Sequence, residues 1–167
     1  MSYYIENIFL CLAVPLILSL LFRKGRQRTF TVFVILGMGS CLLSAYVSSF
    51  FAGCYGADTA VAVMEITPVC EEVVKFLPLL FYLLVFEPDK HEIVSPAIGI
   101  AVGFATFENV CYLTENGAAD FSYVLIRGVS AGSLHLLCGI ALGCGIAYVF
   151  QKKWIMVTGT IGALGAC

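Results

Sequence analysis

Charge is what this sequence is short of. Only 12% of the residues are Asp, Glu, Lys or Arg, against 60% hydrophobic, and the mean hydropathy is +0.98. A water-soluble domain of this length needs far more polar surface to cover its core. Most of the chain must therefore face lipid or other apolar helices, and no polar stretch is long enough to build a separate soluble domain. No basic cluster is interleaved with aromatics and the net charge is -2, so no nucleic-acid partner is expected. The eight cysteines include no CxxC pair and no Cys/His cluster of zinc-knuckle spacing. Most lie in apolar runs, where a free thiol behaves as a small hydrophobe. The first apolar stretch has no basic region before it and one after it, which marks an uncleaved span and not a removable signal.

What is present is a series of long apolar runs. A helix crossing the hydrocarbon core needs roughly 20 apolar residues. Candidate spans run over Tyr3 to Phe22, Thr29 to Phe50, Thr59 to Phe86, Ile93 to Leu113 and Phe121 to Phe150. A last apolar segment, Trp154 to Cys167, is too short to cross. The expected fold is an all-α, polytopic transmembrane helix bundle of five full spans plus a partial sixth. It forms a single domain over residues 1–167, on a polypeptide truncated inside the last span. Of the nine Lys and Arg residues, seven fall between spans one and two (Arg23, Lys24, Arg26, Arg28), between three and four (Lys90) or after five (Lys152, Lys153). All lie on one side of this topology, and the opposite loops near Gly53 to Asp58 and Thr114 to Asp120 have none. The positive-inside rule then places the N-terminus outside the plasma membrane, with loops 23–28 and 87–92 and residues 151–153 in the cytoplasm.

The other two cations, Lys75 and Arg127, sit inside spans, as do Glu65, Glu71, Glu72, Glu108 and His135. An ionisable group at mid-membrane costs a few kcal/mol on insertion scales and so faces a cavity or a partner. Such a set on three neighbouring spans implies a shared polar interior. Span three carries Glu71-Glu72-Val73-Val74-Lys75, so spacings of four and three bring the Lys75 amine to either carboxylate. Two carboxylates beside one amine can hold a general base ready near neutral pH. Pro68, one turn upstream, removes a backbone hydrogen bond and can open the helix to water beside Glu71. Span four places Phe104, Glu108 and Tyr112 on one face with Asn109 adjacent; span five carries Arg127 and His135 eight residues apart on roughly one side. Arg127 can orient a carboxylate bidentately. At ~1.5 Å per residue, Glu108 lies ~8 Å from the outer end of its span, and Glu71 and His135 roughly 15 to 20 Å from theirs. The pairs Gly99/Gly103, Gly128/Gly132 and Gly139/Gly143 have the GxxxG spacing that lets backbones approach.

Three motifs in order, Glu71-Glu72-x-x-Lys75, Phe104-x-x-x-Glu108-Asn109-x-x-Tyr112 and the intramembrane His135, resemble the PrsW family of intramembrane proteases. That family is related to the CAAX prenyl endopeptidases and the bacteriocin-processing (ABI) proteins, and the resemblance runs from about Pro68 to about Gly143. It implies a membrane-embedded endopeptidase cutting a single-pass membrane protein, such as an anti-sigma factor, near the outer face. It also makes Glu71 and Glu72 the essential glutamate pair. Glu108 stands where the wider superfamily has the histidine of FxxxH, and His135 at the first position of HxxxN. The chain departs from the superfamily in having Lys two residues after the pair, Glu at position 108 and Gly at position 139, all of which fit the PrsW branch.

Two mechanisms suit these residues. In one, Glu71, helped by Glu72, polarises a water, and His135 with Asn109 or Arg127 stabilises the oxyanion. In the other, Glu72 or Glu71 joins Glu108 and His135 to hold a Zn²⁺ that activates the water, although H-E-x-x-H is absent. Lys75, Asn109, Tyr112 and Arg127 are supporting residues in both. Competing functions are a small ion- or proton-coupled transporter, a helix-binding scaffold without catalysis, and a cysteine protease built on Cys70 and His135. No inverted repeat relates the two halves of the chain, which weighs against a transporter.

Overall fold

The computed structural model describes residues 2–116 and 121–150. Helix α1 spans Ser2–Ser19 and α2 spans Gly25–Tyr55. Gly56, at φ 60, closes α2 with its N–H turned back to the carbonyls of Ala52 and Gly53, the left-handed stop that glycine adopts without strain. A one-turn helix, α3 (Thr59–Val61), starts where the Asp58 side chain accepts the Val61 N–H at 2.8 Å. It runs through a wide π turn at Ala62–Ile66 into α4 (Thr67–Phe86). Pro68 explains that turn. It has no N–H to give and its ring would strike the carbonyl four residues back. The backbone widens instead, and the Thr67 N–H reaches the carbonyl of Ala62, five residues away. Pro88, just past α4, stops the helix from continuing. After a 3-10 turn at Lys90–Glu92 come α5 (Val94–Asn116) and α6 (Phe121–Phe150).

The helices lie where the apolar runs put them. Three are long and apolar enough to cross a membrane: α2 over its whole length, α5 over Val94–Thr114 and α6 over Phe121–Val149. The apolar part of α1, Ile5–Ser19, is shorter, and α4 carries three charged residues in its first half. Large apolar side chains such as Phe22, Met64, Leu84, Phe121 and Ile126 point outward; lipid accepts such a surface, whereas water would drive it to aggregate. The expected segment at 154–167, the basic residues 152–153 and the middle of the turn at 117–120 lie outside the described residues.

Helix α5 is the centre of the bundle because glycine lets its neighbours touch its backbone. A Cβ on Gly103 would stand 1.9 Å from the carbonyl oxygen of Val34, and one on Gly37 would stand 2.1 Å from that of Ile100, so α2 and α5 pack backbone to backbone. On the other face Gly139 and Gly143 of α6 receive Ala101 and Ala97 of α5. The third pair is different: nothing lies within 4 Å of a Cβ at Gly128 or Gly132. The GxxxG spacing there does not mark a helix contact among the described residues, because that stretch of α6 turns this face away from α5. Two apolar clusters fill the interior. One joins Phe33, Leu79, Ala97 and Ile100; the other joins Met38, Cys41, Phe104 and Phe107, with α1 laid over it through Phe9, whose ring meets Phe107 edge-on at 5.6 Å.

Candidate active site

The charged residues of α4, α5 and α6 converge into one chain of polar contacts. Lys75 Nζ donates to Glu72 Oε1 at 2.7 Å and lies 2.8 Å from His135 Nδ1. The other imidazole nitrogen, Nε2, is 2.8 Å from Glu108 Oε2, and Glu108 Oε1 accepts from Arg127 Nη2 at 2.8 Å. Aromatic faces close the ends. Lys75 Nζ sits 3.9 Å from the centre of the Phe104 ring, and the Arg127 guanidinium 4.1 Å from that of Tyr112, whose hydroxyl bonds that of Tyr123. Lys75 and His135 are buried, with 5% and 8% of their surface exposed. Such burial is tolerated because each charge has a partner and each donor an acceptor.

Beside this chain lies a cavity of about 480 Å³, lined by Glu71, Glu108 and Arg127 and walled by Phe107, Cys111 and Tyr112 of α5. Thr67 of α4 and Ser44, Ser48 and Ser49 of α2 supply the other polar groups of its wall, with Ala45 of α2 among them. Glu71 makes no hydrogen bond or ion pair with any described residue; its carboxyl group is left to the cavity. Its neighbour points elsewhere. Glu72 and His135 face a separate, narrow space of about 10 Å³ that they line with Lys75 and Leu79. The adjacent glutamates therefore do not act on one space, since residues i and i+1 of a helix do not share a face.

Asn109 also departs from expectation. It lines a separate hollow of about 80 Å³ with Tyr123 and Arg127, not the main cavity, and its Oδ1 is buried without a partner among the described residues. That hollow has room for a water to satisfy it. Glu65 is exposed on the π turn, away from the network. Both nitrogens of His135 are engaged by Lys75 and Glu108, leaving none for Cys70, which is buried. Two features were missed in the sequence. The link from Lys75 to His135 joins residues sixty apart and has no local signature. The contribution of α2 did have one: Ser40, Ser44 and Ser48 recur every fourth residue in an otherwise apolar helix.

A Zn²⁺ held by Glu72, Glu108 and His135 does not fit this arrangement. The Lys75 ammonium stands between Glu72 and His135, and both oxygens of Glu108 are already held by Arg127 and His135. No group of three His, Cys, Asp or Glu side chains among the described residues is placed to share a metal.

The sequence model of one protein family matches residues 25–166, from the start of α2 onward, and the family's description is PrsW family intramembrane metalloprotease. No curated protein and no solved structure matches the chain. The metal in that family description finds no ready donor set among the described residues. A match over most of the chain, on a helical bundle whose buried charges meet beside a cavity, settles the family: this integral membrane protein belongs to the PrsW family of intramembrane proteases.

Proposed function

We propose that the chain is an intramembrane endopeptidase that hydrolyses a peptide bond of a single-pass, membrane-anchored protein near the extracytoplasmic side, using water activated by Glu71. The observation that carries this reading is a carboxyl group with no hydrogen bond or ion pair among the described residues, Glu71, facing a cavity of about 480 Å³ that Glu108 and Arg127 also line. The unwound scissile segment occupies the cavity, where the hydroxyl oxygens of Ser44, Ser48 and Thr67, whose protons go to the carbonyls of Cys41, Ala45 and Ala62, accept from its freed N–H groups. Glu71 takes a proton from a water, and the resulting hydroxide attacks the carbonyl carbon. The oxyanion is stabilised by Arg127 N–H groups not given to Glu108. Glu71 then passes its proton to the leaving nitrogen as the C–N bond breaks, yielding a carboxylate and an amine. Glu108 is the acceptor that holds Arg127 at the cavity, and His135 and Lys75 hold Glu108. In this assignment Glu72 and Asn109 support the fold around the site.

The same reading includes five full membrane spans, a partial sixth, and one protease domain. The N-terminus faces outward and the basic loops 23–28 and 87–92 and residues 151–153 face the cytoplasm of a plasma membrane. The resemblance to PrsW points to an anti-sigma-factor-like substrate. The test is to incubate the purified protein in vesicles with single-pass candidates, with and without chelator, and to sequence the fragments. Cleavage within or beside the membrane segment is the expected result. Ion flux with no cleavage of any candidate would make the protein a transporter instead. Cleavage lost on chelation and restored by Zn²⁺ would require Glu108 and His135 to leave Arg127 and Lys75.

A further inference from the structure

We infer that Lys75 is a positioning residue that locks His135 in a single tautomer, with the ring proton on Nε2. The argument needs only donor chemistry and two distances. A lysine ammonium has three N–H donors and no acceptor. Lys75 Nζ lies 2.8 Å from His135 Nδ1, and an N–H on Nδ1 would there meet an N–H of the ammonium. Nδ1 must therefore carry the lone pair, and the ring proton sits on Nε2. Nε2 lies 2.8 Å from Glu108 Oε2, so the imidazole donates to the carboxylate. The three near neighbours of the Lys75 amine, a carboxylate, an imidazole lone pair and the face of Phe104, all suit a cation.

Direction follows from the lock. Each link donates the same way: Lys75 to His135, and His135 to Glu108, which accepts from Arg127 at its other oxygen. Glu108 thus receives two donors and turns Arg127 toward the cavity. With the proton fixed on Nε2 and Nδ1 capped, His135 has no free lone pair. It is a donor in this site and not the base, which leaves that task to Glu71. Lys75 does not line the cavity, so it acts on the reaction from behind the wall, through the imidazole and through its charge, which reaches Glu71.

The chain has two histidines, and the second, His91, is exposed in the 3-10 turn. A His91→Gln background therefore isolates His135 in a ¹⁵N-imidazole spectrum of the full-length protein in lipid. The expected spectrum has Nδ1 in the unprotonated range and Nε2 in the protonated range. A proton on Nδ1 overturns the inference, whatever any variant does. Lys75→Met, close in volume and without a donor, leaves Glu108 alone to hold the Nε2 proton, so the tautomers should mix when Lys75→Met is combined with Glu108→Gln. Lys75→Arg in the Glu108→Gln background, still donor-only, should keep the Nε2–H form, whereas a single Nε2–H form in the Lys75→Met/Glu108→Gln protein would refute the lock. The activity arm alone rests on the proteolytic reading. Cleavage in Lys75→Met should fall about 10–100-fold, by analogy with the loss when the hydrogen-bond partner that orients a metal-ligating histidine is removed, and should recover in part in Lys75→Arg. A protein that shows the tautomer yet cuts nothing would retain the lock and lose the proteolytic reading.

Discussion

Replacing Glu108 by Gln tests how much the polar network contributes to the bundle. The two shapes are nearly identical, but the carboxylate accepts at both oxygens and the amide at one. Glu108 now takes Arg127 at Oε1 and His135 at Oε2, both at 2.8 Å. In the variant one of those donors meets an NH₂ group. The side chains of Glu108 and Arg127 are only 25% and 22% exposed, so solvent does little to replace the missing bond. A hydrogen bond to a charged group contributes about 1.5–3 kcal/mol, and breaking a buried pair outright costs about 3–5 kcal/mol. The expected loss is about 2–3 kcal/mol, or roughly 5–10 °C in melting temperature at this chain length. A thiol-reactive dye reads the melt, because Cys41, Cys70 and Cys138 are buried until the helices part. The same change at Glu72, whose side chain is 43% exposed, should cost no more than about 1 kcal/mol. Adding Arg127→Met to Glu108→Gln should cost less than the sum of the single changes, since each already breaks the shared bond. A Glu108→Gln protein that melts with the wild type would refute the network as a source of stability.

Other outcomes follow from packing and from the cavity. Gly103→Ala places a methyl 1.9 Å from the Val34 carbonyl and should destabilise by at least about 1–3 kcal/mol, while Gly132→Ala meets open space and should leave the dye melt unchanged or slightly raised. Ala45→Phe, on the exposed side of α2 at the cavity wall, should block cleavage by filling the substrate space with little change in melting temperature. In lipid vesicles the same dye should label Cys54, exposed in the last turn of α2, far faster than Cys70, when each is the sole remaining cysteine.

Much of this was legible because membrane helices obey two simple rules. Run length placed α2, α5 and α6, and the cost of burying charge predicted that Glu71, Lys75, Glu108, Arg127 and His135 would meet. Spacing allowed the Lys75 amine to reach either Glu71 or Glu72, and the structure has it on Glu72. Pro68 signalled a disturbed helix, though not that the disturbance would be a π turn starting six residues earlier. Contacts between helices were harder. Gly99/Gly103 and Gly128/Gly132 have the same spacing, yet only the first has a partner backbone, and spacing cannot say which face a helix turns toward its neighbour. The glutamate pair shows the same limit in reverse. The turn of roughly 100° per residue implied by 3.6 residues per turn was enough to separate Glu71 from Glu72, but which of them would meet the cavity depended on where α5 and α6 came to rest.

Glu71→Gln asks the central question with the least ambiguity, since this side chain has no bond to lose within the described structure and stability and function can be read apart. Cleavage of a membrane-anchored substrate should fall by at least about 10²-fold, while the dye melt stays within about 2 °C of the wild type, because no partner is left unsatisfied. Cleavage that persists in a normally folded Glu71→Gln protein would contradict the account and move the base to another residue.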